Sequence, residues 1–481
     1  MSANPSPQSP ARTVVIVGGG FSGSLFALKL HRRCPDWRIV IAEPKKRLGR
    51  GVAYGACAPS HLLNVPVSRM EIGLTPSFAD WLQGRRDLLA DALVESGLDL
   101  ASAFVPRHLF GDYVEERINE ALDSRALVGL SSVRGEVVRL LADRRGVLLN
   151  DGRQIRADIV VLAMGNLPPR PPAGPDSWLY DSGFFIPDPW AMDAFSDIDP
   201  DEPLLLIGSG LTTVDVALRL HAQGHRGPML ALSRRGLTPR THAAGGSWPE
   251  FLHGRIPAST RALMRILREQ IALAAERGIA WQRVFDAARP AVPSIWNTWN
   301  QFHRRQFLRH LRPRWDVHRH RMAPRVAAAF ERLQANGALQ VLPARIAACR
   351  PAGHRVEVSL QQRGGDTRTF SAGHVINCTG PGGDFAKIAI PLIAELRDRG
   401  LAVSDPLGVG LETRDCAVID SSGEASSWLF ALGPLTRPAW WEITAVPEIN
   451  LQIDRLVAQL SSPAAVPRLT VADFMDMGGG I

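Results

Sequence analysis

The chain has 481 residues, of which 45% are apolar and 21% charged. These are the proportions of an ordinary folded protein of roughly two to four domains. They exclude a disordered chain, and no apolar run approaches the ~18 residues that a membrane span needs. The formal charge of +8 reads first as a solvated basic surface and second as an attraction for anionic cofactors and substrates. Nucleic acid is not expected as a partner, because no nucleic-acid-binding module shows itself. The five cysteines, Cys34, Cys57, Cys349, Cys378 and Cys416, are scattered and never form C-x-x-C. That argues against a disulfide framework and a dithiol redox centre, and for a reducing, cytoplasmic compartment. No His/Cys cluster has metal-ligand spacing, so no metal is expected.

The polar, Pro-rich N-terminus reads as a frayed tail rather than a signal peptide. Val14–Val17 then reads as a buried parallel strand, followed by Gly18, Gly20 and Gly23 at G-x-G-x-x-G spacing and a helix with Leu25, Phe26, Leu28 and Leu30 on its apolar face. Such glycines make the tight turn, admit a pyrophosphate and let helix pack on strand. The pyrophosphate would rest on N–H groups at the helix start, at Phe21 and Ser22. A second strand, Arg38–Ala42, ends in Glu43, 25 residues after Gly18. A carboxylate there can hydrogen-bond ribose hydroxyls and repels a 2′-phosphate, so this first site reads as an FAD site.

Residues 44–70 read as a long functional loop. Helices are expected within 76–125, at 76–82, 91–98 and 106–122. A β-meander follows, with strands at 133–140 and 147–150, an Asp151-Gly152 turn, and 155–158 leading into the apolar strand 159–164, which Gly165 stops. Residues 166–202 read as a Pro-rich linker.

The plan then repeats. Leu204–Ile207, Gly208, Gly210 and the helix start at Leu211 and Thr212 form a second strand–turn–helix unit. Thr213 replaces the third glycine, which predicts slightly looser helix packing. The second strand of this unit, 229–232, ends in Ser233-Arg234-Arg235, with Ser233 25 residues after Gly208. A hydroxyl and two guanidinium groups suit a 2′-phosphate, so this site reads as NADPH rather than NADH. Strands at 339–342, 356–360 and 375–377, the last followed by Gly380, repeat the meander.

Residues 241–338 read as a helical insertion with Trp248, Trp281, Trp296, Trp299 and Trp315, which helical spacing assigns mainly to a core. Its arginines read as a solvated face. The alternative is a cap that presents cations, Arg319 and Arg321 among them, to an acidic substrate or to NADPH. The apolar stripes on 256–278 suit either core or the surface of a homodimer. Near the C-terminus, strand 428–432 stops at Gly433, and a helix running to Leu460 follows Trp440–Glu448. Its N-terminus could face a flavin carbonyl. The division expected is an FAD-binding domain at 11–190, an NADPH-binding domain at 200–370 containing the insertion, and a return segment of the FAD domain at 371–465. The fold class is α/β, with two Rossmann-like domains.

With these motifs in place, the chain resembles bacterial FAD/NAD(P)-binding flavoproteins with two dinucleotide-binding domains, a group related to flavin-dependent N-hydroxylases and flavin-containing monooxygenases. The resemblance spans nearly the whole chain. It rests on the glycine loop ending in Glu43, G-R-G-V-A-Y (49–54), H-L-L-N-V-P (61–66), P-R-H-L-F-G-D-Y (106–113), G-S-G-L-T-T-V-D (208–215), S-R-R-G (233–236), N-C-T-G (377–380) and W-E-I-T-A-V-P-E (441–448). It implies that Gly18, Gly20, Gly23 and Glu43 hold the ADP part of FAD, that Gly51, Ala53, Tyr54 and Asn64 line the flavin, and that the Val137 backbone meets the adenine. Gly433 and Thr444 would close the flavin site. The linker 185–190 has no histidine of the Baeyer–Villiger motif, and the paired cysteines of disulfide reductases are absent.

The expected function is an NADPH- and FAD-dependent monooxygenase that consumes O2 and N-hydroxylates a small substrate through a C4a-(hydro)peroxyflavin. A basic site suits an amine that carries carboxylates. Asn64 is the first candidate for the donor that steadies the oxygenating group, with His61, Arg107 and Glu442 behind it. The alternative is an NADPH-dependent flavin reductase or oxidase without oxygen insertion.

Overall fold

The structure is a computed structural model. It describes residues 12–461 apart from 96, 98, 125–128, 173–176, 253 and 255. The expected N-terminal tail, to residue 11, and the end of the expected return segment, 462–465, lie outside the described residues. Two compact units emerge. The first is built from the chain up to Gly55, Phe110–Asn166 and the chain from Gly383, and the second from Ala56–Leu109 and Leu167–Gly382. The divisions at 190, 200 and 370 expected from the sequence therefore fall elsewhere. Residues 56–109 and the strand Phe185–Ile186 join the second unit, and so does His374–Asn377, the start of the expected return segment.

In the first unit five parallel strands lie in the order Ala425–Ala431, Ile159–Leu162, Thr13–Val17, Arg38–Glu43, Leu130–Arg134, with two short antiparallel strands beyond the first of them. Val14, Val15 and Ile16 are fully buried, as a strand covered on both faces requires. The helix Phe21–Arg33 buries Leu25, Phe26 and Leu30 and packs on the helix Val446–Ser461, where Lys29 pairs with Asp454 at 2.6 Å. The single strand expected at 133–140 is broken. Leu130–Arg134 stays in the parallel sheet, whereas Val137–Leu140 begins a separate three-stranded sheet. The break falls at Gly135, whose N–H is taken by the Glu43 carbonyl at 3.1 Å.

The second unit repeats the order. His374–Asn377, Leu204–Ile207, Met229–Ser233 and Leu339–Ala352 are parallel neighbours, matching 159–162, 13–17, 38–43 and 130–134. Here the fourth of these strands runs on unbroken into its antiparallel meander, Arg355–Gln362 and Thr367–Ala372. The all-apolar Leu204–Ile207 serves two cores. Leu204 and Leu206 meet Val214, Ala217 and Phe330, while Leu205 and Ile207 meet Val356, Val358 and Leu360.

Pro324–Ala335 belongs to this fold as its crossover helix, joining the parallel strands Met229–Ser233 and Leu339–Ala352 and burying Val326, Phe330 and Leu333. The insertion therefore ends before residue 324, not at 338. Its core is aromatic: Trp296 and Trp299 meet Phe307, and Phe307 meets Trp315. Trp248, Trp296, Trp299 and Trp315 are buried and Trp281 is half-buried.

Candidate functional site

The first unit encloses a cavity of about 300 Å³ above the carboxyl ends of its parallel strands. Its walls include Gly18, Gly20, Phe21, Ser22, Glu43, Gly51, Ala53, Tyr54, Val137, Gly165 and Thr444, all expected from the sequence. Gly18 has φ +104°, and a Cβ on it would lie 2.5 Å from the Ala163 carbonyl oxygen. Gly23 sits beneath the wall, where a Cβ would come within 1.9 Å of the Gly18 oxygen. Gly20 caps the helix with no side-chain partner, so helix N–H groups open towards the cavity. At Gly165, φ +68°, nothing lies within 4 Å of where a Cβ would stand. Glu43 accepts the Gly19 N–H at 2.7 Å and the Lys45 N–H at 3.0 Å, one at each oxygen. Each oxygen keeps a lone pair for a ribose hydroxyl. An open glycine-lined cradle and a carboxylate at the strand end fit the ADP part of FAD.

The motif around Gly51 is tied into place. Gly49 N–H reaches Gly19 O at 2.8 Å and Ser24 Oγ at 3.1 Å. Arg50, buried against the cavity, binds Glu115 at 2.6 Å and also Asp112. Burial works against the Glu115 charge, yet the hydrogen bonds from Arg47 and Arg50 hold its carboxyl below the usual range. Arg50 was legible only as part of G-R-G-V-A-Y; its burial and its two acidic partners were not.

Gly433 lies beside the wall, which Pro434 lines, and its N–H is held by Gln452 Oε1 at 2.7 Å. Glu442, buried, has φ +71°, a conformation that is costly for a residue with a side chain. Its carbonyl accepts the Thr444 N–H at 2.6 Å, and Thr444 and Val446 then face the cavity. The helix start expected near the flavin is therefore at the cavity wall.

Asn64, His61 and Arg107 belong to the second unit. His61 is buried, and both ring nitrogens are engaged. Nδ1 accepts the Ala58 N–H at 3.1 Å, which leaves Nε2–H to donate to the Asp215 carbonyl at 3.1 Å. Burial lowers its pKa, so the ring is neutral. Arg107 donates to the Asp215 carboxylate at 3.0 Å and to the Leu62 carbonyl at 3.2 Å. The motifs at 61–66, 106–113 and 208–215 thus meet in one polar knot around Asp215. Asn64 is half-buried, and its backbone carbonyl accepts the His242 Nε2–H at 2.8 Å.

The second glycine loop copies the first. Gly208 has φ +132°, and a Cβ on it would lie 2.3 Å from the Cys378 carbonyl oxygen. Gly210 caps the helix Leu211–Ala222 with no side-chain partner and open space around it. Gly380, φ +83°, is open like Gly165. Thr213, where the first unit has Gly23, is fully buried, and burial pushes the pKa of the Cys378 thiol up to about 12.

In place of Glu43 stands Ser233, its hydroxyl 2.8 Å from that of Ser209 and accepting the Gly236 N–H at 3.0 Å. Beyond it opens a cavity of about 890 Å³ lined by Arg234, Arg235, Arg309, His310, Arg314 and Arg363, with no acid in its wall. This cationic wall fits a phosphate-bearing nucleotide. Arg319 and Arg321 follow neither the solvated-face reading nor the alternative that aimed them at a ligand: both are buried, and Arg321 pairs with Asp286.

Residues 15–167 match the family model described as FAD-NAD(P)-binding. No protein of curated function matches the chain by sequence. Among solved structures, the ornithine N-hydroxylase of Kutzneria sp. 744, with reduced FAD, NADP+ and L-ornithine, is similar at 16% identity and a TM-score of 0.65, over 95% of this chain and 100% of that one. The L-lysine 6-monooxygenase of Pseudomonas syringae is similar at 17% identity and 0.64, over 95% and 100%. The FAD-bound cadaverine monooxygenase of Erwinia amylovora is similar at 12% identity and 0.63, over 96% and 97%. The chain shares its fold with these structures, and the FAD-NAD(P)-binding match falls on the first glycine loop and the strands that follow it.

Proposed function

We propose that the chain is an FAD- and NADPH-dependent monooxygenase that N-hydroxylates a small amine bearing carboxylates. The observation that carries this reading is the contrast between the two strand-end sites. Glu43 closes the first with a carboxylate, suited to the ribose of FAD, and the second is walled by arginines, suited to NADPH. The likeness in fold to amine N-hydroxylases supports the choice of substrate class. When bound, the nucleotides supply hydride transfer and oxygen activation, and the protein supplies placement and exclusion of water.

Gly18, Gly20, Gly23, Phe21, Ser22 and Glu43 would hold the ADP part of FAD. Gly51, Ala53, Tyr54, Gly165, Gly433 and Thr444 would hold the flavin, and Val137 the adenine. Gly208, Gly210, Leu211, Thr212 and Gly380 would cradle the pyrophosphate of NADPH, beside Ser233 and Arg234. Asn64 is the donor we assign to the oxygenating group, whereas Glu442, an acceptor when ionised, would shape the turn that carries Thr444. His61 and Arg107 act behind Asn64 by fixing the segment that carries it.

The test is anaerobic mixing with NADPH or NADH, then O2, with a panel of amino acids and diamines. The reading expects faster flavin bleaching by NADPH than by NADH, and NADPH consumption matched by hydroxylamine. Stoichiometric H2O2 with no N-oxygenated product from any amine would overturn it in favour of an oxidase.

A further inference from the structure

Arg234, Arg309, Arg314 and Arg363 converge on one cavity of the second unit. They come from the end of the strand Met229–Ser233, from the π-turn Phe307–Leu311, from the helix Arg312–Arg319, and from the turn after Arg355–Gln362. Among the described residues no carboxylate lies within ion-pairing distance of any of the four. Arginines stay charged at every accessible pH, so four of them around one cavity repel each other until an anion enters.

Arg235 differs from them. Its Nη1 donates to the His310 carbonyl at 3.0 Å and its Nη2 to the Arg309 carbonyl at 3.2 Å. Both carbonyls lie in the π-turn, a widened turn of the kind found at functional sites. A planar guanidinium can bridge two successive carbonyls in this way, and an ammonium cannot hold the same fork.

We propose, resting on the NADPH reading above, that phosphate recognition in the second unit is divided between two kinds of arginine. Arg234, Arg309, Arg314 and Arg363 bind the 2′-phosphate monoester of the nucleotide. Arg235 is a positioning residue that pins the π-turn and so aims Arg309 and Arg314. The insertion thereby supplies half of the phosphate site, and selection of the phosphorylated nucleotide depends on the turn's shape as well as on its charge.

Titration calorimetry on the FAD-loaded full chain tests this with adenosine 2′,5′-bisphosphate, 5′-AMP and inorganic phosphate. The parent should bind the bisphosphate at least about tenfold more tightly than 5′-AMP, the scale of one charge-assisted hydrogen bond. R309A/R314A should lower bisphosphate affinity about 30-fold, leave 5′-AMP unchanged, and flatten the dependence on salt. R309K should stay within about threefold of the parent, because a point charge still meets the phosphate. R235K should lose about tenfold despite keeping its charge, with an unaltered salt dependence, since no cation is removed.

R235K binding like the parent overturns the positioning role. Equal parent affinity for the bisphosphate and 5′-AMP overturns the phosphate site, even if NADPH reduces the flavin. Inorganic phosphate binding as tightly as the bisphosphate makes this a free-phosphate site and overturns the nucleotide assignment. Selective bisphosphate binding with no flavin reduction by NADPH leaves this proposal standing and overturns the enzyme reading instead.

Discussion

His242 shows how one side chain can carry information that the sequence hides. Its Nε2–H is on the Asn64 carbonyl at 2.8 Å and its ring lies 5.1 Å from Phe104, with Arg321, Arg283 and Asp286 nearby. Burial, reinforced by Arg321, lowers its pKa to about 4. The folded state therefore holds the ring neutral, whereas the unfolded chain binds a proton near pH 6.5. Between pH 6.5 and pH 4 the unfolded state holds more protons, so the contribution to stability is full above pH 6.5 and is lost as pH falls. Going from pH 7.5 to pH 5 should cost about 2 kcal/mol from this group. His242→Gln keeps a donor for Asn64 and removes the ionisation. Urea unfolding of the variant should show about 2 kcal/mol less loss across that interval than the parent. An identical loss in both proteins would mean that His242 does not govern this part of the pH response. In the sequence His242 was one histidine in a helical, basic stretch. Nothing local tied it to Asn64, 178 residues away.

At the scale of elements, the arginine run of the insertion divides into two populations that helical spacing could not separate. Arg309 and Arg314 are exposed at a cavity. Arg321, in the link after the helix Arg312–Arg319, is buried, and its partner Asp286 lies 35 residues earlier in the helix Trp281–Ala288. Burial opposes the Asp286 charge, but Arg321 and Arg283 outweigh it and hold the carboxyl below the usual range. Removing Arg321 leaves the half-buried Asp286 charge to Arg283, at 3.5 Å, so Arg321→Met should cost about 2 kcal/mol of stability. Binding of adenosine 2′,5′-bisphosphate should stay unchanged. A variant of parental stability with weakened bisphosphate binding would move Arg321 from the scaffold to the ligand site. The glycine loops and strand-ending residues were legible because their geometry is set within a few residues, by positive φ and by close approach of strand and helix. The break at Gly135 and the π-turn at 307–311 were not, because each answers to a distant partner: Glu43 for the first, Arg235 for the second.

Across the whole molecule, each unit is assembled from interleaved stretches, and sequence reading groups neighbours along the chain. The stretch 56–109 looked like part of the first domain because it follows Glu43. The structure gives it to the second unit, where His61 and Arg107 reach Asp215. The repeat itself was legible, down to Gly18 and Gly208 each pressed on the carbonyl that ends the neighbouring strand. Because each unit has its own glycine loop and its own core, damage to one nucleotide site should spare the other. Gly23→Ala is the sharpest probe, since its Cβ would come 1.9 Å from the Gly18 oxygen, a backbone atom of the turn that must cradle the pyrophosphate. The helix start must move away, and the purified variant should carry little flavin by absorbance. Calorimetry on the same sample should still show bisphosphate binding within about twofold of the parent, since no second-unit contact is changed. Flavin retained at parental stoichiometry would show that the cradle tolerates the methyl group and that FAD does not depend on this helix–strand approach. Loss of both ligands would show that the two units do not hold their sites independently.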